Sequence, residues 1–179
     1  RCITVDSPSS LFLAGESMIP THNSPMAAAI LLYLFGFDHE PRAECFCVGT
    51  KRDQAKIVFE EAKRFVGESE YLRGMIQRWR AALTIESDHS SWRPSGSDSK
   101  SAGGLIPHGI AIDELHAWQE RHRELREKLS TALAKRRQSL SLVITTAGSE
   151  ESDLWLEEVS LCEQVVSRQI PVNADELFV

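Results

Sequence analysis

The sequence predicts an α/β fold, a parallel sheet covered by helices, and three observations carry that reading. From Ser24 onward, short apolar runs alternate with longer amphipathic stretches, the order expected of strand–helix–strand units. Two of the runs, Ile110-Ala111-Ile112 and Leu140 through Ile144, read as strands buried on both faces of a parallel sheet. Both end in polar residues, Asp113-Glu114 and Thr145-Thr146-Ala147-Gly148, at the carboxyl end of a strand, where open α/β sheets bind their ligands.

Composition sets the outer limits. The chain has 179 residues, 42% hydrophobic and 26% charged, which suits one domain with a proper core and a short appendage. The longest apolar stretch, residues 27–37, has the length of a buried core helix rather than a membrane span. No signal peptide is expected, and Cys2, Cys45, Cys47 and Cys162 have neither disulfide nor zinc spacing, so a reducing, cytoplasmic setting is expected. Cys45 and Cys47 are expected to point to opposite faces of one strand. A net charge of −6 argues against a broad DNA-coating surface while leaving local contacts open. A first residue of Arg rather than Met suggests a fragment.

Residues 1–23 differ in texture from the rest. Residues 2–6, 11–14 and 18–20 read as three short strands separated by Ser-Pro-Ser-Ser and Gly-Glu-Ser turns. Three such strands cannot support a core alone. From Ser24 the elements are a strongly apolar helix over 26–35, a strand over 44–49, and an amphipathic helix over 52–66 with Ile57, Val58, Ala62 and Phe65 inward. A shorter helix over 71–79 and a strand over 82–85 follow. Residues 86–104, rich in Ser, Gly and Asp, read as a long polar loop with one strand-like kink at Trp92. After the strand ending at Asp113 come a charged helix over 117–135, a strand over 140–145 and a final helix over 153–166.

The paired carboxylates suit nucleotide hydrolysis: Asp113 to hold the Mg²⁺ that bridges phosphates, Glu114 to orient or deprotonate the attacking water. A strand ending in a solvated acidic turn uses the same residues. Thr145 and Thr146 suit a sensor of the γ-phosphate, or a strand end bonding its own turn. In Gly49-Thr50-Lys51-Arg52-Asp53-Gln54, Gln54 is placed to reach an adenine edge and Arg52 a phosphate, although a capped, charged first turn explains both. His39, His89 and His122 read as surface histidines, and His108 and His116 as flanking the Asp113 strand with local hydrogen bonds. The four tryptophans read as core or partner contacts. A G-x-x-x-x-G-K-[ST] phosphate loop is absent; the residues before the helix that begins at Ser24 are Ile19-Pro20-Thr21-His22-Asn23.

Those residues carry a first resemblance. Cys2-Ile3-Thr4-Val5-Asp6 through Leu11-Phe12-Leu13-Ala14-Gly15, then Thr21-His22-Asn23 before Ser24, resemble the C-terminal end of an intein. The resemblance implies that Asn23 cyclises to cut the chain after itself, that His22 assists, that Ser24 is the acceptor nucleophile, and that Cys2 occupies a position more often Asp. Where the family commonly carries His, this chain has Ser10.

Residues 24–166 resemble the ATPase domain of tailed-phage terminase large subunits, through Ala27-Ala28-Ala29, residues 50–55, residues 104–109, Ile112-Asp113-Glu114-Leu115-His116 and Ile144-Thr145-Thr146-Ala147-Gly148. That implies a RecA-like P-loop NTPase fold using ATP and Mg²⁺, with Asp113-Glu114 as the Walker B pair, Thr145-Thr146 as the coupling motif, and Ser24 and Asp113 on the metal. It also implies double-stranded DNA, a terminase small subunit and a portal as partners, a homo-oligomeric ring, and the cytoplasm of an infected host. Together the resemblances divide the chain into an intein tail, 1–23, and a partial ATPase domain, 24–179, the intein lodged in the phosphate loop. Other readings are autoprocessing with a complementary intein N-terminal half, and another DNA-dependent P-loop ATPase such as a helicase.

Overall fold

The structure, a computed structural model, describes residues 12–14, 19–96, 104–145 and 152–170. Two short strands, β1 (Phe12–Ala14) and β2 (Ile19–Thr21), pair antiparallel in a sheet of their own. The expected strand over 2–6 lies outside the described residues. Helix α1 (Asn23–Gly36) follows at once, with Pro25 in its first turn, where a missing N–H costs no helical bond. Its Ala27, Ala28, Leu31, Leu32, Leu34 and Phe35 are all buried, so it is a core helix.

The main sheet has six strands: β3 (Glu44–Gly49), β4 (Gln77–Arg78), β5 (Leu83–Ile85), β6 (Ser90–Gly96), β7 (Gly109–Asp113) and β8 (Leu140–Ile144), in the order β4-β5-β6-β3-β7-β8. β3, β7 and β8 run parallel, as expected, and β6 runs parallel beside β3. The expectation of a wholly parallel sheet needs correction, because β4 and β5 join one edge antiparallel. Helix α2 (Arg52–Glu68) and the short α3 (Glu70–Met75) lie between β3 and β4; α4 (Arg123–Leu133) links β7 to β8, and α5 (Asp153–Val166) follows β8.

Side-chain alternation splits the core in two. Cys45, Cys47 and Ala111 face α1 and α2 with Val58, Phe59, Ala62 and Trp92; Phe46, Val48, Ile110 and Ile112 face Leu115, Trp118, Leu129 and Leu154. Cys45 and Cys47 therefore share a face, as residues two apart on a strand must, and not opposite faces. Both thiols are held well above the usual range by burial, Cys47 to about 12 even though Trp92 Nε1–H donates to its sulfur at 3.2 Å.

Three other expectations also change. Residues 90–96 form an inner strand, where a polar loop was expected. Its Pro94 pairs with Cys47 on the β3 side, while β5 reaches only as far as Trp92, so the proline's missing N–H interrupts no ladder there. On α2 the inward stripe is Ala55, Val58, Phe59, Ala62 and Val66, and Ile57 is exposed. The helix expected over 117–135 is broken at Trp118 and Gln119, both extended, into two 3₁₀ turns (Leu115–Ala117 and Glu120–His122) and then α4. His122 is buried there, accepting from the Gln119 N–H at 2.9 Å and packing edge-on to Trp118.

Candidate functional site

The parallel register puts the ends of β3, β6, β7 and β8 on one edge of the sheet. Helix α1 points its N-terminus towards that edge. Its last residue is joined by residues 37–43 to the start of β3, and Leu31 and Leu34 pack on Gly109 at the start of β7. An alanine Cβ at Gly109 would come within 2.8 Å of Leu31 Cδ2, so the helix lies tight on the strand. Fourteen residues span about 20 Å, enough to run the length of the sheet. Helix α2 also starts at this edge. Its first turn folds so closely over Gly49 that a Cβ there would sit 3.0 Å from the Ala55 nitrogen.

Asp113 closes β7 and is only 4% exposed. Burial, and next the charge of Glu114, raise its carboxyl pKa to about 6, against a smaller opposing contribution from the Glu114 backbone N–H. Among the described residues no cationic side chain offsets it. The Asp113 carbonyl accepts from Trp118 Nε1–H at 3.2 Å, and the Trp118 carbonyl accepts from the Ser152 hydroxyl at 3.0 Å, fixing the turn to the start of α5.

Glu114 has a left-handed backbone, φ 53° and ψ 51°, a conformation unfavourable for a residue with a Cβ. Its Oε2 lies 3.0 Å from His116 Nδ1. Thr145, the residue after β8, accepts from the His116 backbone N–H at 3.1 Å, and its Oγ1 is also 3.1 Å from His116 Nδ1. The two sequence-predicted groups, Glu114 and Thr145, thus meet through His116. The D-E-x-H spacing was the available signal for it.

The other predicted residues fall as follows. Asn23 and Ser24 open α1, with the Ser24 hydroxyl 3.5 Å from Asn23 Oδ1, and His22 is exposed at the helix N-cap. Gln54 Oε1 accepts from the Lys51 N–H at 3.2 Å and from the Thr50 hydroxyl, so its oxygen serves the α2 cap. Arg52 is the first residue of α2, its side chain outside the described set. Cys2, Ser10 and Thr146 also lie outside it. His108 is fully buried at the opposite edge of the sheet, its Nε2 2.5 Å from Asp38 Oδ2.

A family model for the terminase large subunit, ATPase domain, matches residues 21–164. The chain belongs to that family. The terminase ATPase fold is shared with two solved phage proteins. The HK97 bacteriophage large terminase superposes with a TM-score of 0.65 at 21% identity, over 80% of this chain and 30% of that one. The Thermus phage P74-26 large terminase ATPase domain gives 0.58 at 18% identity, over 75% of this chain and 58% of that one. The terminase chain described here therefore spans about a third of one relative and somewhat over half of the other. No curated protein matches it. Among the described residues of this terminase segment, no helix is long and apolar enough to cross a membrane.

Proposed function

We propose that this chain carries the water-activating half of an ATP-hydrolysing, DNA-packaging motor domain, with its nucleotide site at the carboxyl edge of the sheet. The observation that supports the reading best is Asp113, a buried carboxylate with no cationic partner among the described residues, beside Glu114 on the edge that the α1 N-terminus faces. A helix N-terminus favours phosphate through its unpaired N–H groups and its dipole.

Asp113 and Ser24 fit Mg²⁺, which takes one or two protein oxygens and completes its shell with phosphate oxygens and water. A cation would also reverse the cost of ionising Asp113 in its buried position. When bound, Mg²⁺ neutralises the phosphates of ATP. Glu114 orients the attacking water and takes its proton; Thr145 and Thr146 pass the state of the γ-phosphate to moving parts, and Arg52 and Gln54 line the nucleotide side. The partners in this reading are double-stranded DNA, a terminase small subunit, a portal and further copies in a ring.

Residues 1–23 are read as an intein tail lodged in the phosphate loop, with Ser24 serving both chemistries as splicing acceptor and metal ligand. The separate β1–β2 sheet, ending at Thr21 just before α1, favours this division. In the cleavage step the Asn23 side-chain nitrogen attacks its own carbonyl carbon. A succinimide forms, the bond to Ser24 breaks, and the Ser24 amine leaves with a proton that His22 can supply. Without the glycines and lysine of the phosphate loop, this chain binds ATP poorly and does not turn it over.

The test is ATP turnover by the full-length spliced protein. Glu114→Gln should keep nucleotide binding and lose about a hundredfold or more in rate; an unchanged rate refutes the assignment. Mass spectrometry with a complementary intein half should show residues 1–23 released, and Asn23→Ala should prevent it.

A further inference from the structure

We infer that His116 is a positioning residue that toggles Glu114 between a held and a released state under control of Thr145. The inference rests on the reading of Glu114 as the residue that activates water. Its basis is a hydrogen-bond conflict at one atom. His116 Nδ1 lies 3.0 Å from Glu114 Oε2 and 3.1 Å from Thr145 Oγ1. A neutral imidazole nitrogen is either a donor or an acceptor, never both. With the proton on Nδ1, the ring donates to the Glu114 carboxylate and the threonine hydroxyl hydrogen must turn away. With the proton on Nε2, Nδ1 accepts from the Thr145 hydroxyl, and its lone pair then repels the carboxylate, which is released. The two arrangements exclude each other.

The surroundings keep the conflict in place. The His116 backbone N–H donates to Thr145 Oγ1 at 3.1 Å, so the hydroxyl oxygen stays beside the ring in both states. Trp118 Nε1–H on the Asp113 carbonyl holds the other side of the turn. Glu114, with φ 53°, sits in a backbone conformation that needs such outside support. Thr145 follows β8, a strand paired to β7 along Gly109–Asp113, so a shift of one strand end against the other changes the Thr145–His116 contact. In the held state one carboxylate oxygen is occupied by an N–H and is closed to water; in the released state it is available to water.

Two measurements test the toggle. The first uses this chain alone, with long-range proton–nitrogen NMR reading the His116 tautomer and His116→Gln identifying the signal. Thr145→Val should drive the ring to the Nδ1-protonated form, Glu114→Ala to the Nε2-protonated form, and Thr145→Ser should restore the unsubstituted spectrum. The same tautomer in the unsubstituted, Thr145→Val and Glu114→Ala chains overturns the proposal. The second uses the full-length spliced protein. Thr145→Val should lower kcat about tenfold at constant KM, the scale of one hydrogen bond. His116→Ala should raise the rate measured without DNA, and His116→Asn, which keeps an N–H donor near the Nδ1 position, should return it towards the original. Effects of the same sign for Thr145→Val and His116→Ala also overturn the toggle. If the unsubstituted full-length protein hydrolyses no ATP, the functional reading fails, and the tautomer spectra still decide the toggle.

Discussion

Replacing Asp113 with Asn should stabilise the domain at pH 8 and do little at pH 4. The native carboxyl titrates near 6 against an ordinary value of 3.8, because burial and then the neighbouring Glu114 charge disfavour its ionised form. Between those two values the unfolded chain has released a proton that the native chain still holds. The native state therefore binds more protons, and stability falls as pH rises. The favourable contribution of the neutral carboxyl is complete below about pH 4 and is lost as pH rises through about 6. A shift of about two pH units corresponds to roughly 3 kcal/mol, an upper figure because local water and counter-ions relieve part of it. Asn keeps the shape without the charge, so at pH 8 the variant should gain about 2 kcal/mol, or several degrees in Tm for a domain of this size. The buried Trp92 and Trp118 give a fluorescence signal for urea unfolding at each pH, without added Mg²⁺. Parallel pH profiles for the two proteins, or a loss at pH 8, would refute the reasoning.

Three further outcomes are expected of this chain. Glu114→Gly should relieve the left-handed backbone and raise stability by about 1 kcal/mol, read by urea unfolding. Gly109→Ala should cost about 1–3 kcal/mol, since the new methyl meets Leu31, Leu34 and Cys45 within 2.8–3.2 Å, and calorimetry at one pH suffices to see it. Arg136 bonds the carbonyls of Ile106, Pro41 and Arg42 and pairs with Glu40; Arg136→Ala should speed amide exchange across residues 40–43 and 105–107 more than elsewhere.

Much of the fold was legible because its signals are local. The β3 strand and the α5 helix fall within the bounds the periodicity gave, and β7 is buried along its whole length as its apolar run implies. β8, also expected to be buried, is instead the edge strand of the sheet, with Leu140 exposed and only Ile144 buried. β6 was not legible. Its residues Ser90-Ser91-Trp92-Arg93-Pro94-Ser95-Gly96 carry one large apolar side chain, and the strand exists because β3 pairs along its whole length. The break before α4 was hidden for the same reason: it depends on the Trp118 indole reaching back to the Asp113 carbonyl, a contact that no periodicity encodes. At the site, sequence alone named Asp113, Glu114 and Thr145. The link between the last two runs through His116 and needed the pairing of β7 with β8, which brings His116 and Thr145, 29 apart in sequence, within hydrogen-bond reach.

The measurement that tests the account most directly is where a Mn²⁺–nucleotide complex lands on this chain. Paramagnetic broadening of backbone amide signals detects weak occupancy, which suits a chain without the glycines and lysine of a phosphate loop. The account predicts broadening at Asn23, Ser24, residues 49–54, Asp113, Glu114, His116 and Thr145, reduced in Asp113→Asn. Broadening confined to the groove between α4 and α5, around Arg123, Arg126, Glu157 and Glu158, would contradict it.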